Sequence, residues 1–310
     1  MPLFKKKDKT KKYSKKIYSS VRRNDTKSFK KLLNEINASG TLIDFNDSDV
    51  NYQNTPLMEA ISNHNAAMVE SLMEYIDEHN MLLGINEPAE NGNTPLLYAL
   101  KLGNTKEMKK IVKLLLNYAT KNEISLNLND EINREIPLLL FSRENNREII
   151  DLVIGYADEQ QTVLGINDND YGSSPLIEST DIDSIDYVKI IIDYANRHEI
   201  ILDINDKDDN KNYPLLFASK NNNIEMVQLL MEYADTHNII LIMNDKSEKK
   251  RFPILEAIEN NNVEMVKLLI DYAIRHQITL NIRPENIKPE SVNKDILDLL
   301  TAYNNQKVIN

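Results

Sequence analysis

The chain has 310 residues and a mass of 35.8 kDa, which exceeds the usual size of one hydrophobic core, so we expect several domains or an elongated array. The absence of cysteine excludes disulfides, thiol catalysis and cysteine metal sites. No apolar run approaches the roughly 18 residues of a membrane-spanning helix, and no apolar stretch typical of a secretory signal follows the N-terminal lysines. We therefore expect a cytoplasmic protein, with the nucleus as the alternative.

The net charge of −11 is unevenly distributed along the chain. Residues 1–31 contain 13 Lys and Arg but only two acidic residues, whereas the remainder contains 24 basic and 46 acidic residues. We expect residues 1–12 to form a disordered basic arm. Such an arm is typical of segments that bind anionic membranes or nucleic acid, and a merely solubilising tail is the alternative. The lysines assigned to this function are Lys5, Lys6, Lys7, Lys11, Lys12, Lys15 and Lys16.

Residues 13–45 have the pattern of a capping repeat. Ile17 and Val21 indicate one helix, and the segment from Asp25 to Ile36 indicates a second helix with Phe29 among its apolar residues. Terminal repeats are expected to differ from internal ones because one of their faces meets water.

Two residue types then recur with a period near 39. Prolines followed by an aliphatic pair are spaced by 39, 42, 38, 39 and 39 residues, and a tyrosine follows 19 residues after each proline except the second, where it follows after 23. Four additional residues are roughly one helical turn, which predicts a lengthened helix in that unit. The prolines are Pro56, Pro95, Pro137, Pro175, Pro214 and Pro253, and the tyrosines are Tyr75, Tyr118, Tyr156, Tyr194, Tyr233 and Tyr272.

Each unit reads as a polar turn, two helices and an alternating segment. Pro214 suits the first turn of a helix, where its missing N–H needs no partner, and the asparagines at 221–223 tolerate the left-handed backbone between two helices. An apolar stripe from Ile224 to Met231 predicts the second helix, and residues 239–243 form the alternating segment. Neither helix can bury its apolar face alone, so neighbouring units are expected to stack into a solenoid.

The motifs resemble the ankyrin repeat. Residues 55–60 (TPLMEA) and 94–99 (TPLLYA) are similar to the first-helix signature of that family, and residues 262–269 (NVEMVKLL) to its second helix. The resemblance implies an all-α, ankyrin-like helical solenoid of stacked helix-turn-helix repeats with long connecting turns. We expect six such repeats at residues 46–284, a C-terminal capping helix at 285–304 and a tail at 305–310.

The units depart from the ankyrin pattern in length and in one residue. The ankyrin period is 33 residues, so each unit carries about six extra residues after its second helix, and the usual His after Pro-Leu is absent. A tetratricopeptide-like repeat is the alternative fold, although it gives no reason for proline at the start of the first helix.

Histidine and tyrosine ladders raise two further alternatives. His79, His198, His237 and His276 each follow a ladder tyrosine by four residues. Equivalent residues of adjacent repeats are about 10 Å apart, too far for a shared metal, so we expect helix-capping histidines and no metal site. The tyrosines are either a stacking platform for bases or packing residues, and their constant register favours packing.

No phosphate loop, zinc-protease motif or nucleophile elbow occurs, so we expect neither an enzyme nor a cofactor. The ankyrin resemblance implies a concave face, lined by turn tips and first helices, that binds protein partners. The variable position of the first helix carries Glu59, Tyr98, Leu140, Glu178, Phe217 and Glu256. We expect Tyr98, Leu140 and Phe217 to be binding anchors, with the alternative that Leu140 and Phe217 belong to the core.

The charges of the turns predict the chemistry of the partner. The turn with Asp206, Asp208 and Asp209 is acidic, whereas residues 246–251 make the last turn basic. We therefore expect a monomeric scaffold whose unknown protein partner carries basic segments, with a membrane- or nucleic-acid-binding adaptor as the alternative.

Overall fold

The computed structural model describes residues 2–46, 54–89, 92–103, 105–128, 147–169, 172–282 and 292–309. These residues form fourteen α-helices and no β-strand. The chain divides into two compact units, Met1–Leu164 and Gly165–Asn310. The all-helical repeat architecture predicted from the two registers is therefore confirmed.

Unit 1 contains seven described helices, which pack as successive pairs. The first helices α1, α3 and α5 contact one another in order, and so do the second helices α2, α4, α6 and α7. Stacking of this kind buries a continuous core from pairs that have no core of their own. The helices are α1 (Pro2–Arg22), α2 (Thr26–Ala38), α3 (Pro56–Ser62), α4 (Ala66–Glu78), α5 (Pro95–Lys101), α6 (Lys106–Lys121) and α7 (Arg147–Glu159).

Unit 2 repeats the same arrangement. Its first helices α8, α10 and α12 stack on one another, and its second helices α9, α11, α13 and α14 form the adjacent layer. The helices are α8 (Pro175–Asp181), α9 (Ile185–Arg197), α10 (Pro214–Lys220), α11 (Ile224–Thr236), α12 (Pro253–Glu259), α13 (Val263–Arg275) and α14 (Lys294–Ile309).

Every first helix described in the repeats begins at its proline, as predicted. Thr55, Thr94 and Ser174 precede three of these prolines and accept a hydrogen bond from the amide three residues ahead, which satisfies one of the free donors of the helix start. In the last two repeats the preceding residue is Tyr213 or Phe252, whose side chain is buried instead. Pro137 and the helix predicted to begin there lie outside the described residues.

The second helices are 13 residues long in α4, α7, α9, α11 and α13, and 16 residues long in α6. The lengthened helix predicted for the second repeat is thus confirmed. The two helices of the later repeats are joined through Asn222 and Asn261, which adopt φ values of 59° and 55°. Asparagine is among the few residue types that adopt this left-handed conformation readily.

The predicted capping role of the histidines is also confirmed. His79, His198, His237 and His276 are the C-cap residues of their second helices. Each ring lies 4.2 Å, centroid to centroid, from the ring of the tyrosine one turn earlier.

In five of the second helices a buried tyrosine hydroxyl joins the helix to the extended segment of the preceding repeat. The hydroxyl of Tyr233 accepts a hydrogen bond from the Leu202 amide at 2.9 Å, and Leu202 is 1% exposed. Burial raises the pKa of Tyr233, while the hydrogen bond from Leu202 opposes this rise. The same bond joins Tyr118 to Leu83, Tyr156 to Leu126, Tyr272 to Leu241 and Tyr303 to Leu280, over 2.9–3.2 Å. The tyrosines are therefore packing residues, and the base-stacking alternative is wrong.

An asparagine of the preceding repeat also binds the extended segment by hydrogen bonds. The Nδ2 of Asn205 donates to the carbonyl of Ile240 over 2.8 Å, and its Oδ1 accepts from the amide of Ile242 over 2.9 Å. Asn46, Asn167 and Asn244 make the same pair of bonds to the next repeat, and Asn86 makes the bond to the carbonyl. The extra residues of a repeat therefore form an extended segment, and the segments at residues 201–203, 240–242 and 279–281 are hydrogen-bonded to both of their neighbours.

The two chain ends differ from the predicted boundaries. Helix α1 begins at Pro2, so the segment expected to be a disordered arm is helical, because its lysines favour helix and Ile17 and Val21 anchor the helix by complete burial against α2 and α3. Helix α14 continues to Ile309 and includes most of the expected tail. Among the described helices, none has the length and apolar character needed to cross a membrane.

Candidate functional site

The candidate site lies on unit 2, where turn tips meet the first helices. We call it the first-helix surface and define it by Glu178 and Asp181 of α8, Lys220 of α10, Glu259 of α12 and the turns at residues 206–212 and 245–251. Ion pairs join these parts: Lys220 approaches Asp181 over 3.9 Å, and Arg251 of the last turn binds Glu259 of the helix that follows it.

Three carboxylates of two adjacent repeats interact electrostatically on this surface. Partial burial raises the pKa of Asp181, Lys220 opposes the rise, and the charges of Glu178 and Asp208 raise the pKa further. The Asp181 side chain is nevertheless 49% exposed, so the acidic group is accessible. Lys220 is the cation that approaches this group, at 3.9 Å from Asp181, and we name Glu178, Asp181 and Asp208 the acidic cluster.

The partners of the acidic cluster hold its members in place. Glu178 is half-buried and its Oε2 accepts a hydrogen bond from the Ser173 hydroxyl over 3.1 Å. Asp208 accepts from the amide and the side chain of Asn212, both over 2.7 Å, which closes its own turn. The carboxylates therefore stand in fixed positions rather than on free side chains.

Two other predicted binding residues are buried. Phe217 is 4% exposed, with the ammonium of Lys220 5.4 Å from the centre of its ring, so the core alternative is the one that the structure bears out. Glu256 is 9% exposed and forms a two-bond pair with the guanidinium of Arg251, over 2.7 and 3.0 Å. Neither side chain offers an anchor to a partner, because stacking of the repeats covers Phe217 and the preceding turn covers Glu256.

The predicted residues of unit 1 lie on separate first helices. Glu59 and Tyr98 are half-buried, on α3 and α5 respectively. The hydroxyl of Tyr98 donates to the hydroxyl of Ser62 over 3.3 Å, which joins the two helices. Leu140 lies outside the described residues.

The turn tips of unit 2 pair with one another, so that part of their charge is internal. Lys207 of one turn binds Asp245 of the next, and Lys211 approaches Glu248 over 3.8 Å. Hydrogen bonds to Glu256 and Glu259 raise the pKa of Arg251 further above its usual range. The basic charge that remains exposed on the last turn is that of Lys246, Lys249 and Lys250.

The lysines predicted to form the basic arm lie along α1. Lys11, Lys12, Lys15 and Lys16 are exposed, and the side chains of Lys5, Lys6 and Lys7 lie outside the described part of the chain. Their role in binding a membrane or nucleic acid stays a prediction. Among the described residues, no group of three or more His, Asp or Glu side chains is arranged to hold a metal ion.

Asp181 is the member of the acidic cluster that the repeat pattern does not single out. It lies three residues after Glu178, near the end of a seven-residue helix, and its register is not distinctive in the sequence. Its proximity to Asp208 depends on the stacking of two repeats. A comparison of charges between neighbouring turns and first helices is the signal that finds it.

Comparison with known proteins agrees with the architecture. A sequence model of ankyrin repeats in three copies matches residues 17–130 and 196–282. No curated protein sequence matches the chain. Several solved structures are similar, at identities that support the fold alone.

The ankyrin repeat domain of Bcl-3, described as a unique member of the IkappaB protein family, is 16% identical with a TM-score of 0.56, covering 82% of this chain and 97% of that one. The human ASB11 ankyrin repeat domain is 17% identical with a TM-score of 0.53, covering 83% and 96%. The ankyrin repeat protein EF0377 is 18% identical with a TM-score of 0.50, covering 70% and 97%. Because the family model covers well over half of the residues and the helices stack in the same repeated pairs, the chain belongs to the ankyrin repeat family.

Proposed function

We propose that this protein is a non-enzymatic scaffold that binds a partner protein through the first-helix surface of unit 2. Ankyrin repeats are in general protein-interaction modules, and the acidic cluster supports a partner that carries lysine or arginine at the point of contact. The observation that carries the proposal is the half-exposed carboxylate of Asp181, on which the charges of Glu178 and Asp208 act from two adjacent repeats, with Lys220 at 3.9 Å as the one opposing charge among the causes that shift the Asp181 pKa.

The cluster suits binding better than folding. Burial is the first cause of the raised pKa of Asp181, and the like charges of Glu178 and Asp208 add to it, so the ionised carboxylate is less stable in the folded chain than in water. A basic group of a partner relieves the repulsion and gains a charge-assisted hydrogen bond. Complementary charges also speed association and suppress partners of the wrong sign.

The test compares two variants of equal charge. Glu178→Gln with Asp181→Asn removes two carboxylates of the cluster, while Asp208 is left intact because it closes its own turn. Asp186→Asn with Asp193→Asn removes two exposed carboxylates from α9 and is the matched control. Tagged full-length chains are used to capture partners from a lysate, followed by mass spectrometry.

We expect the cluster variant to lose partners that the parent and the control retain. Partners that depend on the cluster should also dissociate more readily at high salt, because exposed charges are screened. Identical partner lists for the cluster variant and the control, with all chains folded, would remove the first-helix surface as the binding site.

The remaining parts of the proposal follow from the composition. The chain contains no cysteine, which suits a reducing compartment, and we place its partner in the cytoplasm or the nucleus. We propose that the scaffold acts as a monomer that requires no cofactor.

A further inference from the structure

The extended segments expose an aliphatic side chain at an equivalent position in most repeats. The position immediately precedes a buried leucine or isoleucine, and it lies after the second helix rather than on the first-helix surface. The residues and their exposed fractions are Leu42 (61%), Leu82 (60%), Val163 (52%), Ile201 (53%) and Ile240 (58%). Ser125 and Thr279 occupy the same position in two further segments. Folding does not require an aliphatic side chain here, since two segments do without one.

In unit 2 two of these side chains border neighbouring cavities. One cavity has a volume of about 400 Å³ and is lined by residues 201–206 and Ile239. The other has a volume of about 360 Å³ and is lined by Ile239, Ile240 and residues from the ends of α11 and α13. Ile239 lines both, so the cavities are adjacent, and we name the two together the aliphatic groove and define it by Ile201, Ile239 and Ile240.

The charged residues that line the first cavity are acidic. Asp203 is exposed there, and Asp206 stands beside it with one carboxylate oxygen bound by the side chain of Asn169 over 2.9 Å. At the second cavity Asp235 is paired with Arg275 and contacts the His276 ring, both over 2.8 Å, so its charge is offset. The charge that remains for a ligand is therefore acidic and lies next to Ile201.

We propose that the aliphatic groove binds a peptide segment of a partner protein with two aliphatic side chains and a lysine or arginine between them. Adjacent repeats are about 10 Å apart, as packed helices are. A peptide in the polyproline II conformation advances about 3.1 Å per residue with three residues per turn, so residues three apart lie on one face, about 9 Å from each other, and reach the two cavities. The basic side chain between them faces Asp203 and Asp206. Aliphatic anchors in concave sites with a few oriented polar groups are a general form of recognition.

A second copy of the chain is a poorer occupant. A two-fold dimer through this groove places the same patch on both sides of the interface. Asp203 and Asp206 would then face their own counterparts, which opposes association. The occupant is for this reason assigned to a cationic segment of a different protein.

The experiment selects peptides on the full-length chain from a phage-displayed library of random 12-residue sequences. Enriched peptides are synthesised with a fluorophore, and their affinities are measured by anisotropy. The variants are Ile201→Ser, Ile240→Ser and Asp203→Asn, each at an exposed position. Ile274→Ser removes a 48% exposed aliphatic side chain from a second helix and is the matched control.

We expect enrichment of peptides with aliphatic residues three apart and a Lys or Arg between them. Ile201→Ser and Ile240→Ser should each weaken binding about 10-fold, the effect of losing an interface anchor. Asp203→Asn should weaken it less and reduce its dependence on salt, while the control binds as the parent does. Failure to enrich such peptides, binding to either isoleucine variant as tight as to the parent, or self-association of the parent that these variants abolish would each overturn the proposal.

Discussion

Replacement of Tyr233 by Phe removes one hydroxyl from the tyrosine ladder and leaves the ring in place. The hydroxyl accepts a hydrogen bond from the Leu202 amide over 2.9 Å, and Leu202 is 1% exposed. Without the hydroxyl this amide stays buried without an acceptor, which costs about 1–3 kcal/mol. We expect a value in the upper half of that range, because the burial of Leu202 leaves little room for water to replace the lost partner.

Urea unfolding followed by circular dichroism measures the loss of stability, and amide hydrogen exchange locates it. A loss of about 2 kcal/mol should raise the exchange rate of the Leu202 amide about 30-fold. Tyr98→Phe is the matched control, because the Tyr98 hydroxyl binds another hydroxyl over 3.3 Å on a half-buried side chain. Its cost should be below about 0.5 kcal/mol.

The refuting result is equally definite. If Tyr233→Phe costs no more than Tyr98→Phe and the Leu202 amide keeps its protection, the ladder tyrosines stabilise the array through their rings alone. The hydroxyls would then have no part in coupling one repeat to the next.

Three further predictions concern single side chains of unit 2. Asn205→Ala should lower the free energy of unfolding in urea by about 1 kcal/mol, because two hydrogen bonds to the next repeat are lost at a partly exposed site. Asn205→Asp keeps only the acceptor, so its stability should lie between those of the parent and the alanine variant. Arg251→Gln should cost about 1–3 kcal/mol in the same assay, since Glu256 is 9% exposed and loses its cation. Adding Glu256→Gln should recover part of this loss of stability. If Arg251→Gln causes no loss, the ion pair is dispensable for stability. Asp181→Asn should raise the free energy of unfolding at pH 7 slightly, by less than about 0.5 kcal/mol, because it removes a carboxylate whose pKa is raised in the folded chain. This advantage should vanish as the pH falls through the raised pKa of Asp181, where the parent carboxyl takes up its proton; an advantage that grows on acidification contradicts the reasoning.

The starts and lengths of the helices were predictable because they depend on short-range chemistry. A proline after a threonine or serine specifies the first turn of a helix by itself, so the helices that begin at Pro56, Pro95 and Pro175 follow from a few letters. The four additional residues of the second repeat likewise predict the longer α6, and three of them lie within that helix.

The burial of the predicted binding residues was not predictable from the repeat register. Glu178 and Glu256 occupy equivalent positions, yet the first is half-buried and the second is 9% exposed. The preceding turns differ: Arg251 covers Glu256 with its guanidinium, whereas the equivalent turn gives Glu178 a hydrogen bond from the hydroxyl of Ser173. A periodic pattern describes what repeats share, and the binding surface depends on what they do not share.

The hydrogen-bond partners of the buried polar groups were not predictable either, although the sequence indicates that the ladder tyrosines have such partners. The six ladder positions are all tyrosine and never phenylalanine, which indicates that the hydroxyl has a use. The identity of its partner, an amide of the preceding repeat such as that of Leu202, follows only from the stacked structure. The lysine-rich N-terminal segment is the opposite case, because its charge suggested disorder while its helix propensity agreed with α1.

The hydrogen bonds of the ladder tyrosines, those of the asparagines and the aliphatic groove all depend on the extended segment. Tyr233 fixes the amide of Leu202, and Asn167 fixes the carbonyl of Ile201 and the amide of Asp203. Side chains alternate along such a backbone, so once Leu202 and Ile204 are buried, Ile201 and Asp203 must face outward. The hydrogen bonds that couple the repeats thus present an aliphatic and an acidic side chain next to each other on a rigid support. The backbone bonds do not depend on the outward residue, so that position is free to vary, as Ser125 and Thr279 show. The fold therefore does not explain the aliphatic residues found at the other positions, and we attribute them to ligand binding.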